Sequence, residues 1–543
     1  MKKFLIVPFI FLLALGISSC DDYLDPEPRD RYSELIAWTS EENANLYLNS
    51  FYKNLNDYRL NGNRIFNGRL TDAIADIVKY GSGSAGEGNA NIYAFEPTRI
   101  TPDQNSLGIW GDAYNTIRRI NEFLEGLEEH ADFEEDVIVE LQAQARFVRG
   151  YIYHLLIARH GSVILLDKTT SNRDNPRSTE EECWDFVERD FDFAADNLPD
   201  EWPAGNEGRI TRGAVLAMKS RSMLYAERWD AAAEAAEAVM ELADEGYYGL
   251  ADSYEDAFLS RLQGNNEAIL EIYFQRPDLT YNWDYDHAPG GDNPGYGGKA
   301  TPTQNLIEAY ETSAGDEVDW SPWHNGPTNQ TPPYDQLEPR FHASILYNGA
   351  EWKGRTIGSY VGGSDGYFDF GAKPYPNGET TTGYFMRKYM DESITDLSSD
   401  RSERTIIEIR YAEVLLNYAE ATYQLNRESE ANAAIRQVRD RVGLPYSDLS
   451  GDELFERIRT ERKIELAFEG HRYWDLRRWR LAHEKMNGLR AKGMKIIPDG
   501  ADFLYEVVDA DGQDRMFLER LYNFPIPSAE IVNNSAITQI SPW

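Results

Sequence analysis

The sequence predicts a mainly α-helical protein: a scaffold of tetratricopeptide-like helical hairpins, a loop-rich middle and a few short strands. Three observations predict it. Apolar residues recur at three- and four-residue spacing from about residue 105 to 245 and again from 404 to 486, the period of helices that bury one face. The stretch between, about 250–400, is rich in Gly, Pro, Asn, Asp, Trp and Tyr, with the turn dipeptides Pro289-Gly290, Asn325-Gly326 and Asn377-Gly378. Finally, "LYAERWDAAAEAAEAVMEL" (224–242) can be laid over "TYQLNRESEANAAIRQVRD" (422–440), setting Tyr225 on Tyr423. Each is a helix end, a polar turn and an alanine-spaced helix. Ala235, Ala236, Ala433 and Ala434 are the small residues that let paired helices approach, the logic of stacked repeats.

From the N-terminus, Lys2 and Lys3 precede an apolar run over 4–17 and then Ser18-Ser19-Cys20. The run is short of the roughly 20 residues a spanning helix needs and has the layout of a secretory signal peptide over 1–19. Small residues before a cysteine resemble a bacterial lipobox, in which Cys20 becomes the lipidated first residue. The other reading is an ordinary signal peptide with an incidental Cys20. Cys183 is the remaining cysteine, so acylation of Cys20 leaves no intramolecular disulfide. Further on, "LGIWGDAYNTIRRINEFLEGL" aligns Ile109, Trp110, Ala113, Ile117, Ile120 and Leu124 on one stripe. "LQAQARFVRGYIYHLLIARHG" repeats the effect and stops at Gly161, a C-cap residue. Leu504–Val508 and Met516–Leu521, around Asp511-Gly512, read as a closing hairpin.

A formal charge of −38 argues against nucleic acid and anionic membrane surfaces as partners, since both would repel the chain. Membrane association is therefore expected through the N-terminal lipid alone.

The segment "DELFERIRTERKIELAFEG" places Leu454, Ile458 and Phe468 on an apolar face, yet Glu461, Arg462 and Glu465 fall where that stripe continues. Buried charges must be paired, and Arg459, Arg462 and Arg472 are at hand for Glu461, Glu465 and Glu469. The helix is expected to end at Gly470, with Trp474, Leu476 and Trp479 packing the next. Arginine neighbours keep carboxylates ionised, which suits ion pairs and spoils a general acid. The stretch reads as scaffold, with no catalytic residue in it.

The run Arg459-x-Glu461-Arg462-x-x-Glu465-Leu466-x-x-Glu469-Gly470-x-Arg472-x-x-Asp475-Leu476-Arg477-Arg478-Trp479 strongly resembles the C-terminal signature of the SusD/RagB family, surface lipoproteins of Bacteroidetes. "ARFVRGYIYHLLIARHGSV", "TPTQNLIEAYETSAGD", "LEPRFHASILYNG", "TGYFMRKY" and "RYAEVLLNYAEA" follow in family order. The ending keeps Pro525-Ile526-Pro527 and departs at Gln539–Trp543. Acidic Asp21, Asp22 and Asp25 resemble the surface-export signal of such lipoproteins. The resemblance implies a SusD-like body over 20–543, with four helix pairs carrying a loop-rich ligand-binding region. It implies a lipid-anchored outer-membrane protein facing the cell surface. It further implies a SusC-like TonB-dependent transporter as partner, an oligosaccharide or polysaccharide ligand passed into that barrel, no catalysis and no cofactor.

Sugars offer hydroxyls and flat C–H faces, so their sites want aromatic platforms among hydrogen-bonding groups. Trp283, Tyr285, Tyr296, Trp320 and Trp323 stand in polar, turn-rich company rather than at helical spacing. Each serves equally well to pack its own loop. Asp72 and Tyr80 fall in a region that contributes ligand contacts in family members. Two other functions stay open: a peptide-binding RagB-like relative, and a secreted glycoside hydrolase using loop carboxylates.

Other motifs carry less. Gly81-x-Gly83-x-x-Gly86 matches a dinucleotide fingerprint by letters, with no strand before it. Asp509–Asp514 lacks the twelve-residue calcium pattern. The histidines lack metal-ligand spacing, so no metal is expected. No Gly-x-Ser-x-Gly elbow occurs.

Overall fold

In a computed structural model, residues 36–58, 70–80, 88–277, 279–280, 282–293, 297–369, 378–397 and 401–543 are described. The leader, Cys20, the Gly81–Gly86 motif and Tyr296 lie outside the described residues.

Helices α1 (Glu41–Tyr58), α2 (Trp110–His130), α3 (Glu135–His160), α4 (Glu180–Asn197), α5 (Arg212–Tyr225), α6 (Trp229–Asp244), α7 (Tyr411–Gln424), α8 (Glu428–Arg441) and α9 (Gly451–Glu465) form the scaffold. From α2 to α6 each helix packs on its chain neighbour; α7 then packs on α6, and α8 and α9 pack on α7. The stack is thus continuous in space although α6 and α7 are far apart in sequence. No described helix is long and apolar enough to cross a membrane.

The predicted stripe is inward: Ile109, Trp110, Ala113, Ile117 and Ile120 are buried and Leu124 is half-buried. Helix α3 ends where expected, with Gly161 at φ +67° and its N–H on the Ile157 carbonyl at 2.7 Å. Gly150 shows how tightly α3 and α4 meet, since a Cβ there would stand 2.8 Å from the Phe191 ring.

The internal repeat is real in form, but its register differs by one residue from the sequence overlay. Both hairpins turn on a left-handed residue, Glu227 (φ 56°) after α5 and Asn426 (φ 61°) after α7. In each, the following N–H reaches back to a carbonyl five residues earlier: Arg228 to Met223 at 2.9 Å and Arg427 to Thr422 at 2.8 Å. This closure satisfies carbonyls left free at a helix end. Tyr225 therefore matches Gln424, not Tyr423. The shift also turns Ala433 outward, leaving Ala431 and Ala434 as the small residues at the contact.

The described strands pair into five two-stranded sheets. Strand β1 (Val78–Tyr80) pairs antiparallel with β3 (Ala300–Pro302), and β2 (Ala268–Ile272) with β4 (Ile406–Arg410). The C-terminal hairpin is β5 (Lys492–Asp499) with β6 (Asp502–Asp509), turning at Gly500 (φ 66°). Leu504–Val508 lies in it as expected, but Met516–Leu521 does not. The Asp511-Gly512 turn is instead a brace: Asp511 is buried, accepts from the Ala491 N–H and pairs with Arg515 and Lys79. It offers no open calcium loop, and no metal-ligand cluster exists among the described residues.

Two large apolar clusters result. One fills the helical stack. The other holds Trp283, Trp320, Trp323, Tyr334, Phe341 and Phe385 beneath the loop-rich segment and the C-terminal hairpin.

Candidate functional site

The charged C-terminal stretch forms an interior ionic network between the two clusters. Glu461 and Glu465 are fully buried. Their partners are not the expected arginines. Glu461 accepts from Arg340 (2.8 Å) and Arg439 (2.6 Å); Glu465 accepts from Arg340 (3.2 Å), Arg410 (2.7 Å) and Arg441. Glu469 takes Arg410 and Lys388, both at 2.7 Å. Arg462 instead binds Asp475 (3.0 Å), Arg472 binds Asp76 (2.8 Å), and Arg459 turns outward to Glu456. Neighbours along one helix lie beside each other on its surface, so these buried carboxylates are reached mainly from facing elements, although Arg457 of α9 itself comes within 3.6 Å of Glu461. The helix also ends earlier than expected, at Glu465. Phe468 then adopts φ +67°, which buries its ring in the second cluster.

Burial alone would raise the Glu465 carboxyl, but Arg441, Arg410 and Arg340 outweigh it and hold the group well below the usual carboxylate range. Burial likewise opposes the ionisation of Glu461, but Arg340 and Arg439 outweigh it and hold the carboxyl below its ordinary value. Burial lowers the Lys388 ammonium to about 8, against the pull of Glu469. Glu461 and Glu465 are therefore fixed anions, poorly suited to exchanging protons with a substrate.

The tryptophans expected as platforms are structural in this conformation. Trp283 is 5% exposed, donates Nε1–H to the Lys388 carbonyl at 3.0 Å and meets Tyr389 and His287 edge-on. Trp320 and Trp323 pack together at 5.3 Å, and the Trp323 indole donates to the Gln330 carbonyl at 2.8 Å. None presents a ring face to solvent. Apolar burial won over the polar loop composition that suggested exposure. Asp72 is also interior: its Oδ2 accepts the Gly470 N–H at 3.1 Å, and burial raises its carboxyl to about 7. It braces the turn after α9 rather than facing a ligand.

Two predicted residues remain partly exposed. Tyr285 lies between Arg401, 4.1 Å from its ring centre, and Lys299 at 5.8 Å. Asp286, its neighbour, pairs with Lys299. Tyr80 packs against both clusters, and the β1–β3 register sets it opposite Ala300, one residue from Lys299. A half-exposed group of Tyr285, Asp286, Lys299 and Arg401 thus gathers a phenol ring, a carboxylate and two cations, while the Tyr80 hydroxyl accepts from the Leu70 N–H at 3.0 Å. Asp286, Lys299 and Arg401 were not singled out in the sequence. Asp286 adjoins Tyr285, but only the folded register brings Lys299 and Arg401 to it. This surface can stack flat apolar faces and hydrogen-bond hydroxyls.

The family assignment follows from comparison with known proteins. A model described as "SusD family" matches residues 266–543, and one described as "Starch-binding associating with outer membrane" matches 22–224. The chain belongs to the SusD/RagB family. A SusD-like protein of Formosa agariphila is 27% identical, covering 90% of this chain and 95% of its own. A SusD-like protein of Bacteroides fragilis of known crystal structure is 28% identical with a TM-score of 0.75, covering 94% of this chain and 99% of that one. A "SusD-like carbohydrate binding protein" of the same organism is 26% identical with a TM-score of 0.76, covering 92% and 99%. The mainly helical SusD fold expected from the sequence is therefore the fold observed.

Proposed function

We propose that this protein is a cell-surface carbohydrate-binding lipoprotein that captures oligosaccharides and passes them to a SusC-like TonB-dependent outer-membrane transporter. The observation that carries the reading is the match to family models over residues 22–224 and 266–543, one of them named for starch binding at the outer membrane. The likeness to a carbohydrate-binding SusD-like protein of Bacteroides fragilis supports it. In this reading the Tyr285–Asp286–Lys299–Arg401 surface supplies the ring and polar groups that meet the glycan. Cys20 carries the lipid anchor. No chemical step is assigned: the carboxylates of the C-terminal signature are locked in ion pairs.

The test is glycan binding by the lipid-free chain in affinity gels and calorimetry, with release of reducing ends followed in parallel. Retention without cleavage, and co-purification with a SusC-like barrel from membranes, are the expected results. Turnover of a glycan at enzyme rates, or competition by peptides with no response to any sugar, would reverse the reading. Loss of fatty-acid labelling in Cys20→Ala tests the anchor.

A further inference from the structure

We propose that a cavity between the start of α4, the α5–α6 turn and the C-terminal segment binds a small zwitterion, a free amino acid or a dipeptide, with its carboxylate toward Arg480 and its ammonium toward Glu180 and Glu227. The site is apart from the Tyr285 surface and independent of that surface's ligand.

The positive side begins with a charge imbalance in the interior. Among the described residues, Arg159 and Arg477 have no carboxylate within ion-pair distance, whereas every other buried arginine has one. Both guanidiniums lie over the Trp474 ring, at 4.2 and 4.9 Å from its centre. Their donors go to carbonyls, Arg159 to Leu107 and Leu155, Arg477 to Leu521 and Tyr522. Carbonyls satisfy the N–H groups without cancelling the charge. Burial accordingly lowers Arg159 to about 9 and holds Arg477 below its ordinary value. A cation in so poorly screened a place attracts an anion over a longer reach than one in water.

The cavity that Arg477 borders measures 410 Å³, within the about 300–1,000 Å³ of small-ligand sites. Arg477 is 4% exposed, so it acts there through its field. Contact falls to Arg480, which also lines the cavity, is exposed and makes no ion pair among the described residues. Its guanidinium lies 4.6 Å from the centre of the Tyr522 ring, a cation–π contact that steadies the group and leaves its N–H donors free. The two other cations at the cavity are spent: Arg228 on Asp185 and Glu188, Arg478 on Glu420 and Asp475.

The helical stack supplies the opposite charge. Glu180 and Glu181 open α4, and Glu227 holds the turn after α5; all three are exposed, line the cavity and pair with no cation among the described residues. One cavity thus brings together cations from the C-terminal segment and carboxylates from the stack that do not close on each other. A plain anion would be repelled by the glutamates and a plain cation by the arginines, whereas a molecule carrying both charges satisfies both sides. Neutral groups complete the lining. The Asn523 amide and Glu180 Oε2 converge over Gly161, with Nδ2 and Oε2 at 3.7 and 3.4 Å from where a Cβ there would stand. The hydroxyl of half-buried Tyr225 makes no hydrogen bond among the described residues, so it too is spare for a ligand's polar groups.

The test is saturation-transfer NMR on the lipid-free protein with L-alanine and L-alanyl-L-alanine as probes. N-acetyl-L-alanine and L-alaninamide, each with one charge blocked, serve as comparisons. At least one zwitterion should bind saturably, and blocking either charge should weaken it at least about threefold. Arg480→Gln and Glu180→Gln alter exposed side chains; each should weaken binding at least about threefold, with the unfolding midpoint and oligosaccharide retention unchanged. No transfer from either zwitterion at about 50 mM, well above a millimolar dissociation constant, would overturn the proposal. So would equal binding of a blocked compound, or full binding in either variant. Loss of oligosaccharide retention in Arg480→Gln would overturn it too, since the cavity would then belong to the glycan site. Zwitterion binding in a protein that retains no glycan would keep the cavity and sink the capture reading; the converse sinks the cavity alone.

Discussion

Arg340 is the residue whose removal tests the ionic network most directly. Its guanidinium, fully buried, bridges Glu338, Glu461 and Glu465. Without it Glu461 keeps Arg439, and Glu465 keeps Arg410 and Arg441. Glu338 is also fully buried, and Arg340 is its ion-pair partner among the described residues. Burial already raises its carboxyl despite that pull. Replacing Arg340 by Met, of similar reach, should therefore cost about 3–5 kcal/mol, the usual result of stranding a buried charge. Glu338→Gln added to Arg340→Met should recover about 2 kcal/mol, within the range of coupling between contacting residues. The pH dependence has a definite sign. A folded carboxyl above its unfolded value binds more protons in the folded state, so stability falls as pH rises from the unfolded value through the raised one. The loss in Arg340→Met should accordingly be smaller at pH 5 than at pH 8. Urea unfolding followed by tryptophan fluorescence reads all three quantities, provided the m-value is unchanged. A single-variant cost under about 1 kcal/mol, or a double variant no better than the single, would refute the idea that ion pairing holds these groups inside.

Further outcomes follow from other contacts. Trp320→Ala or Trp323→Ala should destabilise by about 3–5 kcal/mol, the cost of emptying a core indole site; an unchanged unfolding midpoint with lost glycan retention would restore them as platforms. Tyr285→Ala should leave stability nearly unchanged and weaken glycan retention by the equivalent of about 0.5–1.5 kcal/mol, read by calorimetry. Asp72, raised to about 7 by burial, should make the parent lose stability between its unfolded value and pH 7; Asp72→Asn should flatten that slope in urea midpoints taken from pH 5 to 8. In α2 a Cβ on Gly126 would fall 2.1 Å from the Trp38 ring. Gly126→Ala should therefore lower stability by about 1–3 kcal/mol despite alanine's helix preference, as a thermal melt would show.

Much of the scaffold was legible because helical burial leaves a periodic trace. The stripe through Ile109 and Ile120, the Gly161 stop and the paired hairpins all follow from spacing and cap chemistry. The one-residue error in the repeat arose from matching tyrosines, when the left-handed residues Glu227 and Asn426 set the register. Neither is glycine, the usual signal for that conformation. The site was less legible. Trp283, Trp320 and Trp323 look exposed by their polar neighbours, but whether a loop ring faces water depends on tertiary packing that no local pattern encodes. Pairing of the buried carboxylates was foreseeable from charge on an apolar face. Their actual partners, Arg340, Arg410, Arg439 and Arg441, were not, because they come from segments brought together only by the fold.

The ionic network also bears on the order in which the chain can mature. Arg340, Lys388, Arg410 and Arg439 are all made before Glu461, Glu465 and Glu469, the acids that neutralise them. Until the C-terminal segment arrives, the five buried cations Arg340, Lys388, Arg410, Arg439 and Arg441 face three earlier-made carboxylates of the network, Glu267, Glu311 and Glu338, and the excess positive charge cannot enter an apolar interior. Completion of the polypeptide thus becomes the trigger for closing its interior, and a product cut short before α9 should remain open and be cleared by proteases.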